Sequence, residues 1–155
     1  MEPRRYLSRK AAGTRAVPVV GTMNFGTRTD AAESRRIVEA ALRAGVRAFD
    51  TANMYGNGAS EAILGEVLAG ESEVFLATKV GLFPAKGGFE GLSRDVVLKS
   101  TELGLARLRR DSVDLLYLHA PDRRVPLTET LGAVKELVDS GRVRHFGMSN
   151  YAAWE

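Results

Sequence analysis

The chain has 155 residues, 45% of them hydrophobic and 26% charged, a composition that can bury a sizeable core and that excludes global disorder. Its 22 basic and 19 acidic side chains give a net charge of +3, which attracts anionic partners only weakly, a phosphorylated cofactor among them. The absence of cysteine excludes disulfide scaffolds and thiolate chemistry. Because no apolar run approaches the roughly 20 residues that cross a bilayer and no secretory signal is visible, we expect a soluble, cytoplasmic protein without a membrane partner.

Much of the excess positive charge lies in a basic amino-terminal arm, residues 1–16, which precedes a folded domain predicted over residues 17–155. The arginines and lysines of this arm are not interleaved with aromatic side chains beyond Tyr6. Such a pattern is more typical of a solvated tail than of a nucleic-acid contact, so we expect no nucleic-acid partner.

Hydrophobic periodicity beyond the arm predicts alternating strands and helices. Strands are predicted at residues 17–21, 46–50, 74–78, 113–118 and 143–148. Helices are predicted from Asp30 to Gly45, from Ser60 to Gly70, from Ser93 to about Leu108, and from Leu131 to near Gly141. Residues 81–91, rich in glycine, are predicted as a functional loop of about ten residues, and residues 151–155 as the start of another helix.

This alternation predicts a parallel sheet with right-handed crossovers, and two architectures fit it. A doubly wound sheet completes itself within this length, whereas a (β/α)₈ barrel needs about 250 residues. Length therefore favours the doubly wound sheet, while the placement of polar residues favours the barrel. Since the sequence stops where a helix should be starting, we expect it to be a piece of a longer chain.

Polar residues follow the predicted strands, where the catalytic groups of parallel α/β proteins gather. They are Thr22, Asn24, Asp50, Lys79, His119, Ser149 and Asn150, with Tyr55 on the loop after the second strand. Singly, each has an ordinary explanation as a cap, a rim lysine, a packing tyrosine or a core histidine. Together, an acid, an amine, an imidazole and a phenol at one rim match a specific chemical need.

That need is the donation of a proton to a carbonyl oxygen as a hydride arrives at the carbon. A free phenol, with a pKa of about 10, is too weak an acid at neutral pH, and a buried ammonium beside it favours the phenolate. Tyr55 is therefore the candidate donor and Lys79 the candidate source of charge. Asp50 would keep the lysine charged and oriented, and His119 would hydrogen-bond the carbonyl.

Other chemistries find less support in the sequence. With His119 and His145 as the two histidines and no HExxH spacing, a zinc hydrolase is disfavoured and no metal ligands are predicted. There is no GxSxG elbow and no GxxxxGK[ST] phosphate loop. Residues 56–61 (GNGASE) begin like a dinucleotide fingerprint but lack its third glycine and follow a loop, so a Rossmann site is not supported.

These residues resemble the aldo-keto reductase family over nearly the whole chain, from about Val19 to Glu155. The resemblance is carried by residues 21–26 (GTMNFG), 49–56 (FDTANMYG), 60–65 (SEAILG), 78–79 (TK), 114–119 (DLLYLH) and 147–150 (GMSN). Residues 119–122 (HAPD) and 149–154 (SNYAAW) are most similar to the branch that reduces aflatoxin dialdehyde and succinic semialdehyde.

The resemblance implies a (β/α)₈ barrel, here partial with about five strands and four helices, that reduces aldehydes or ketones with NADPH. It implies that Tyr55 is the proton donor, with Lys79 and Asp50 as its partners, and that His119 orients the substrate. The implied cofactor contacts are Thr22, Met23, Asp50, Ser149 and Asn150. Met54 and Phe83 are our candidates among the apolar side chains for lining the substrate pocket.

Two departures from the family pattern set the alternatives. The amino-terminal hairpin of many members is poorly matched by residues 4–15, and the family's adenosine phosphate contacts and strand-six glutamine come from later strands that this sequence lacks. A barrel stopped after five strands has unpaired edges and an exposed apolar inner face, so we expect self-association, a loose fold or a longer parent protein. The alternative function is a non-catalytic truncated fragment or a nucleotide-sensing regulatory subunit of the same fold.

Overall fold

A computed structural model describes residues 17–154, so the predicted arm over residues 1–16 and Glu155 lie outside the described residues. In chain order the elements are β1 (Val20–Gly21), α1 (Ala31–Arg43), β2 (Ala48–Asp50), a 3₁₀ turn (Tyr55–Gly58), α2 (Ala59–Val67), β3 (Phe75–Val80), β4 (Pro84–Ala85), β5 (Gly88–Phe89), α3 (Arg94–Leu108), β6 (Val113–Leu118), α4 (Leu127–Asp139) and β7 (Val143–Met148). No helix within residues 17–154 has the length and apolar character needed to span a bilayer.

The main sheet has the order β1-β2-β3-β6-β7, and every neighbouring pair is parallel. Each helix contacts the next one along the chain, from α1 to α4. A doubly wound sheet reverses its strand order at a switch point and carries helices on both faces. Strands in chain order with consecutive helices packed side by side instead make a partial α/β barrel, which confirms the barrel rather than the doubly wound sheet.

The core lies between the sheet and the helices. Strand residues that face the helices are almost completely buried, among them Phe49 on β2 and Leu116 and Leu118 on β6. Leu64 of α2 and Leu105 of α3 are buried against them in the same cluster. Successive side chains of a strand point to opposite faces, so those that do not face the helices point to the inside of the barrel.

Local signals explain where α1 begins and ends. The Asp30 side chain accepts a hydrogen bond from the backbone N–H of Glu33, 2.8 Å away, and so satisfies one of the free donors of the first turn. Gly45, with φ of +82°, follows the last turn in the left-handed conformation that glycine adopts without strain. Both predicted boundaries of this helix are confirmed.

Several predicted elements differ in length from the observed ones. β1 has two residues rather than five, because Pro18 has no N–H to give to a ladder and Val17 and Val19 stay exposed. β3 runs through Val80, so Lys79 lies inside the strand rather than after it. α4 begins one turn before the predicted apolar stripe, immediately after Pro126.

Two predictions fail at the level of the element. The predicted loop over residues 81–91 contains a small antiparallel hairpin, with Pro84 paired to Phe89 and Ala85 to Gly88. Its two-residue strands are too short to produce an alternating pattern in the sequence. The helix predicted from residue 151 is absent from the described residues, where positions 153–154 form a turn.

The hairpin is held at its carboxyl-terminal base. The Glu90 carboxylate accepts hydrogen bonds from Asn53 Nδ2 at 2.7 Å and from the Gly81 N–H at 2.8 Å. A second connection is made by Asp122, which follows β6. Its carboxylate accepts hydrogen bonds from the Leu92 N–H at 3.0 Å and from Arg124 Nε at 2.7 Å. The loops after β2, β3 and β6 are therefore joined into one continuous rim.

The Arg124 guanidinium, with help from the backbone N–H groups of Arg124 and Leu92, lowers the pKa of Asp122 to about 2 from its ordinary value near 3.8. Folding thus favours the ionised carboxylate over the protonated acid. The stabilisation that Asp122 contributes is complete above that ordinary value and is lost as the pH falls towards 2.

Two helical glycines give a matched test of the helix packing. A Cβ at Gly65 of α2 would lie 2.2 Å from the backbone oxygen of Arg107, whereas a Cβ at Gly132 of α4 would meet nothing within 4 Å. We expect Gly65→Ala to lower the free energy of unfolding by about 1–3 kcal/mol, as overpacking does. Gly132→Ala should raise it by about 0.5–1 kcal/mol through helix propensity. Urea denaturation of both variants checks this, and a stabilised Gly65→Ala would contradict the close approach of α2 and α3.

The pH dependence of Asp122 is a second test. Asp122→Asn should lower the free energy of unfolding at pH 7, because it replaces a carboxylate that accepts several N–H bonds. The difference from the parent chain should shrink as the pH falls from about 4 towards 2, where the parent carboxylate is protonated as well. Denaturation series between pH 3 and pH 7 measure the difference, and a gap that stays constant with pH would rule out this role.

Candidate active site

Lys79 is the centre of the site. It projects from β3 beside the end of β2, and its side chain is only 10% exposed. Its ammonium makes a short ion pair with Asp50, donates to the backbone oxygen of Thr51 at 2.9 Å and lies 3.4 Å from the Tyr55 hydroxyl oxygen. A buried cation is costly unless it is paired, and here one carboxylate, one carbonyl and one phenol surround it.

The 3₁₀ turn Tyr55–Gly58 delivers the phenol to this ammonium. The Tyr55 N–H bonds the oxygen of Ala52 at 3.1 Å, and Gly56 follows with φ of +58°. A Cβ at Gly56 would also fall 2.9 Å from the backbone oxygen of Phe25, so the turn needs glycine for both conformation and space. The Lys79 nitrogen lies 5.0 Å from the centre of the Tyr55 ring.

His119 closes the other side of the phenol. It follows β6, donates its backbone N–H to Val80 at 2.9 Å, and is 8% exposed. Its ring meets Tyr55 edge to face, with centroids 5.9 Å apart and planes at 82°. Within the described part of the chain its Nδ1 atom is buried without a hydrogen-bond partner.

The surroundings of His119 determine its protonation. Burial lowers the pKa of the imidazole, the Lys79 charge lowers it further, and the Asp50 charge opposes this. The ring is therefore neutral near pH 7 and carries one N–H. Because a buried N–H without an acceptor is costly, the favoured tautomer has its proton on Nε2 and leaves Nδ1 bare.

Ser149 and Asn150 lie beside His119 at the end of β7. The Ser149 N–H bonds the oxygen of Leu118 at 2.9 Å and extends the ladder between β6 and β7. Asn150 has φ of +61°, and its Nδ2 donates to the His119 backbone oxygen at 2.7 Å and to Ser149 Oγ at 3.2 Å. The structure thus joins these two polar side chains to the strand that carries the imidazole.

The remaining predicted residues fall in different surroundings. Thr22 is fully buried, and its hydroxyl bonds Ser60 Oγ at 2.7 Å and the Asp50 backbone oxygen at 3.0 Å. Met23, next to it, is 63% exposed, and Met54 is half-buried directly before Tyr55. The Phe83 ring lies 5.6 Å from the guanidinium carbon of Arg107, a residue of α3.

Sequence reasoning missed Tyr117. It pairs with Lys79 across β3 and β6, and the Lys79 nitrogen lies 5.9 Å from its ring centre. Gly147 stands opposite on β7, where a Cβ would come within 2.7 Å of the ring. The signal was available, because Tyr117 precedes His119 by two positions and so shares its face of the strand.

Asn53 was missed as well, and no pattern pointed to it. It is 2% exposed, its N–H bonds the backbone oxygen of Lys79 at 3.0 Å, and its amide reaches Glu90. Its Oδ1 is buried without a partner in the described part of the structure. Asn53 therefore links the segment before the 3₁₀ turn that carries Tyr55 both to β3, which carries Lys79, and to the β4–β5 hairpin.

The arrangement combines two donors and a charge at one opening. The phenol and the neutral imidazole each carry a proton that can reach an oxygen atom, and the ammonium stabilises negative charge that develops beside it. These residues provide neither the pair of carboxylates that glycoside hydrolysis needs nor an activated serine. The geometry favours protonation of a polarised oxygen.

Comparisons with known proteins show the family of the chain. The model described as "Aldo/keto reductase family" matches residues 19–155. Aflatoxin B1 aldehyde reductase member 2 of Rattus norvegicus is 43% identical over 141 residues, which are 88% of this chain and 37% of that protein. A probable voltage-gated potassium channel subunit beta of Arabidopsis thaliana is 33% identical over 135 residues, which are 84% of this chain and 41% of that protein.

Solved structures give the same result. The holo form of an aldo-keto reductase from Bacillus halodurans has a TM-score of 0.79 and 33% identity over 86% of this chain and 46% of that one. A thermostable aldo-keto reductase in complex with epalrestat has a TM-score of 0.81 and 30% identity over 94% of this chain and 53% of that one. The chain spans well under half the length of the curated relatives cited above. Sheet order, rim geometry and sequence similarity lead to one conclusion: the chain belongs to the aldo/keto reductase family.

Proposed function

We propose that this chain carries the catalytic residues of an NADPH-dependent reductase that converts aldehydes or ketones to alcohols. The observation that carries the proposal is the Lys79 ammonium in contact with both Asp50 and the Tyr55 hydroxyl, with the His119 ring against the same phenol. Because the chain covers under half of its curated relatives, the activity of the whole protein is part of the proposal.

The reaction needs a hydride at the carbonyl carbon and a proton at its oxygen. NADPH, when bound, supplies the hydride. Tyr55 gives its hydroxyl proton to the oxygen, and the phenolate that remains is stabilised by the adjacent ammonium of Lys79. Asp50 holds that ammonium beside the phenol, since its carboxylate pairs with the lysine from the neighbouring strand.

His119 orients the substrate. With the proton of its neutral ring on Nε2, it can donate a hydrogen bond to the same carbonyl oxygen that Tyr55 protonates. Two donors on one oxygen polarise the carbonyl and fix its direction before the hydride arrives. Burial, and after it the charge of Lys79, lowers the pKa of the imidazole, so the neutral ring donates a hydrogen bond rather than a proton.

The residues at the end of β7 fit a nicotinamide carboxamide. Such a group needs an acceptor for its N–H and a donor for its oxygen, and the Asn150 Oδ1 and the Ser149 hydroxyl supply one of each. Met23 is exposed enough to contact the cofactor. Thr22 is fully buried, and its hydroxyl, N–H and carbonyl oxygen are all hydrogen-bonded within the chain, so its part in cofactor binding is to hold the segment that carries Met23. Met54 and Phe83 remain our candidates for the substrate wall.

The similar proteins support an aldehyde as the substrate class. The rat relative is named as an aflatoxin B1 aldehyde reductase. An aromatic aldehyde is therefore the reasonable first substrate for an assay.

Tyr55→Phe tests the proposal directly. It removes the donated proton and keeps the ring, so we expect turnover to fall by about 10²–10⁴, while NADPH binding is retained. NADPH fluorescence titration measures the binding, and loss of NADPH absorbance with an aromatic aldehyde measures the turnover. Tyr6→Phe, the same chemical change in the amino-terminal arm, is the control and should match the parent. Full turnover by Tyr55→Phe, or a parent chain that neither binds NADPH nor reduces the aldehyde, contradicts the proposal for this chain.

A nucleotide-sensing regulatory subunit is the second candidate, favoured by the similarity to a probable potassium channel subunit beta. Such a protein would bind NADPH at the same rim but would not catalyse repeated turnover of an aldehyde. Saturable binding with oxidation of at most one NADPH per chain, unchanged by fresh aldehyde, would favour this candidate over the reductase.

We also propose that the isolated chain self-associates through the β7 edge of its sheet. Phe146 and Met148 alternate along β7 and are each 46% exposed, and the described sheet ends at this strand. An unpaired strand with apolar side chains is a surface that a second copy can cover. Sedimentation velocity should show dimers or larger species that dissociate in the Phe146→Ser and Met148→Ser double variant. A monodisperse parent monomer that unfolds cooperatively would disprove this.

A further inference from the structure

We propose that Glu61 and Arg107 are positioning residues, a pair behind the sheet between a buried carboxylate and a partly exposed guanidinium, which sets Tyr55 and Lys79 at their working separation. The inference rests on the proposed function, because it concerns the geometry of the proton donor. Neither side chain belongs to the rim, and both act through residues they contact.

Glu61 lies in the first turn of α2 with a completely buried side chain. One carboxylate oxygen accepts from Thr78 Oγ1 at 2.6 Å, and the other accepts from Arg107 Nη1 at 3.1 Å. Burial raises the pKa of this carboxyl group, and the bonds from Thr78 and Arg107 oppose the rise. A carboxylate held so far from water is costly, and its two partners are what allow it to stay.

The link to the lysine runs through Thr78. Thr78 directly precedes Lys79 on β3, and neighbouring side chains of a strand point to opposite faces. The Thr78 hydroxyl is held behind the sheet by Glu61, while Lys79 projects from the front. Fixing Thr78 against α2 therefore fixes the strand segment from which the ammonium projects.

The link to the phenol runs through Arg107. This side chain crosses from α3 to the 3₁₀ turn, where a Cβ at Gly58 would fall 2.7 Å from its Nε atom. Gly58 ends the turn that begins with Tyr55 and has φ of +91°. The guanidinium thus packs against the turn that carries the proton donor and at the same time pairs with Glu61.

The pair consequently connects the two elements that bring Tyr55 and Lys79 together. The distance of 3.4 Å between the Lys79 nitrogen and the Tyr55 hydroxyl oxygen is already at the long end for a hydrogen bond, so a small displacement of either element breaks the contact. Errors of about 1 Å in such a constellation can cost about 10²-fold in rate. The effect should appear in the chemical step more than in cofactor affinity.

Gly104 of α3 offers a way to move the carboxylate without changing any charge. A Cβ at Gly104 would lie 2.9 Å from Glu61 Oε1, the oxygen that accepts from Thr78, so Gly104→Ala forces a shift between this oxygen and α3. Gly132→Ala makes the same chemical change in α4, where the added methyl meets nothing within 4 Å. The two variants gain the same helix propensity and differ in what they do to Glu61.

The experiment compares Gly104→Ala, Glu61→Gln, Arg107→Met and Arg107→Lys with the parent chain. The first readout is the rate at which acetic anhydride labels Lys79, measured by peptide mass spectrometry relative to Lys135, which needs no turnover. The second is kcat, KM and the NADPH dissociation constant with an aromatic aldehyde. Gly132→Ala is the propensity control, and Val143→Ala, at the far end of β7, is the control for simple destabilisation.

We expect Gly104→Ala, Glu61→Gln and Arg107→Met to raise Lys79 labelling several-fold and to lower kcat by about ten-fold or more, with the NADPH dissociation constant within about two-fold of the parent. Arg107→Lys, which keeps the charge, should recover part of both losses. Gly132→Ala and Val143→Ala should leave Lys79 labelling at the parent level.

Unchanged Lys79 labelling in Gly104→Ala and Glu61→Gln would overturn the inference, and so would an equal rise in Val143→Ala. If Glu61→Gln does not fold, Gly104→Ala and Arg107→Lys carry the test, since both keep the Glu61 carboxylate and a cation at position 107. A parent chain without turnover would refute the proposed function, while the labelling would still decide whether the pair positions Lys79.

Discussion

The burial of one ammonium group is the constraint on which the rest of this site depends. Lys79 cannot lose its hydration unless a carboxylate and further acceptors replace it, and Asp50, Thr51 and Tyr55 provide them. Asp50 and Thr51 come from the end of β2, and Tyr55 comes from the turn that follows. Satisfying the cation therefore dictates that β2 and β3 are neighbours and that the turn folds back over them.

The strand order makes this possible with few residues. Because the sheet follows the chain, each strand end lies beside the next, and Asp50, Lys79, His119 and Ser149 arrive at one rim in sequence order. The helices behind the sheet then have a second task besides covering apolar side chains. They hold the backs of the same strands, as Glu61 of α2 does when it bonds Thr78. The two faces of β3 are thus held in place by different groups: the rim residues contact Lys79 on one face, and Glu61 bonds Thr78 on the other.

Much of this could be predicted where the chemistry is local. β6 and β7 were predicted with their observed bounds, β6 because its residues are almost all apolar and β7 because Gly141 marks the turn before it. The bounds of α1 were predicted because Asp30 and Gly45 mark its ends. The residues gathered at the rim could be named because strand ends converge in any parallel sheet. The hairpin over residues 84–89 and the extra turn of α4 could not, since neither shows a period of its own.

Tyr117 could have been found from its spacing to His119, but other residues of the site were missed for a different reason. Asn53, Arg107 and Glu61 matter because of partners that are distant in sequence, such as Glu90 for Asn53, and a single sequence does not show such pairings. Glu61 lies inside the segment 60–65 that resembles the family, but nothing local in the sequence distinguishes a buried glutamate from one that merely starts a helix. Tertiary contacts decide which of the two it is.

The base of the β4–β5 hairpin is held by hydrogen bonds, and its tip is exposed. Glu90 and Leu92 are tied to three other loops or helices, through Asn53, Asp122 and Ser100, whereas residues 84–89 are exposed. Loop closure costs grow slowly with length, so residues can be added or removed at the tip without disturbing the anchored segment. Evolution can therefore vary the length of this hairpin, and with it the shape of the entrance, while the proton-donating groups beneath keep their places.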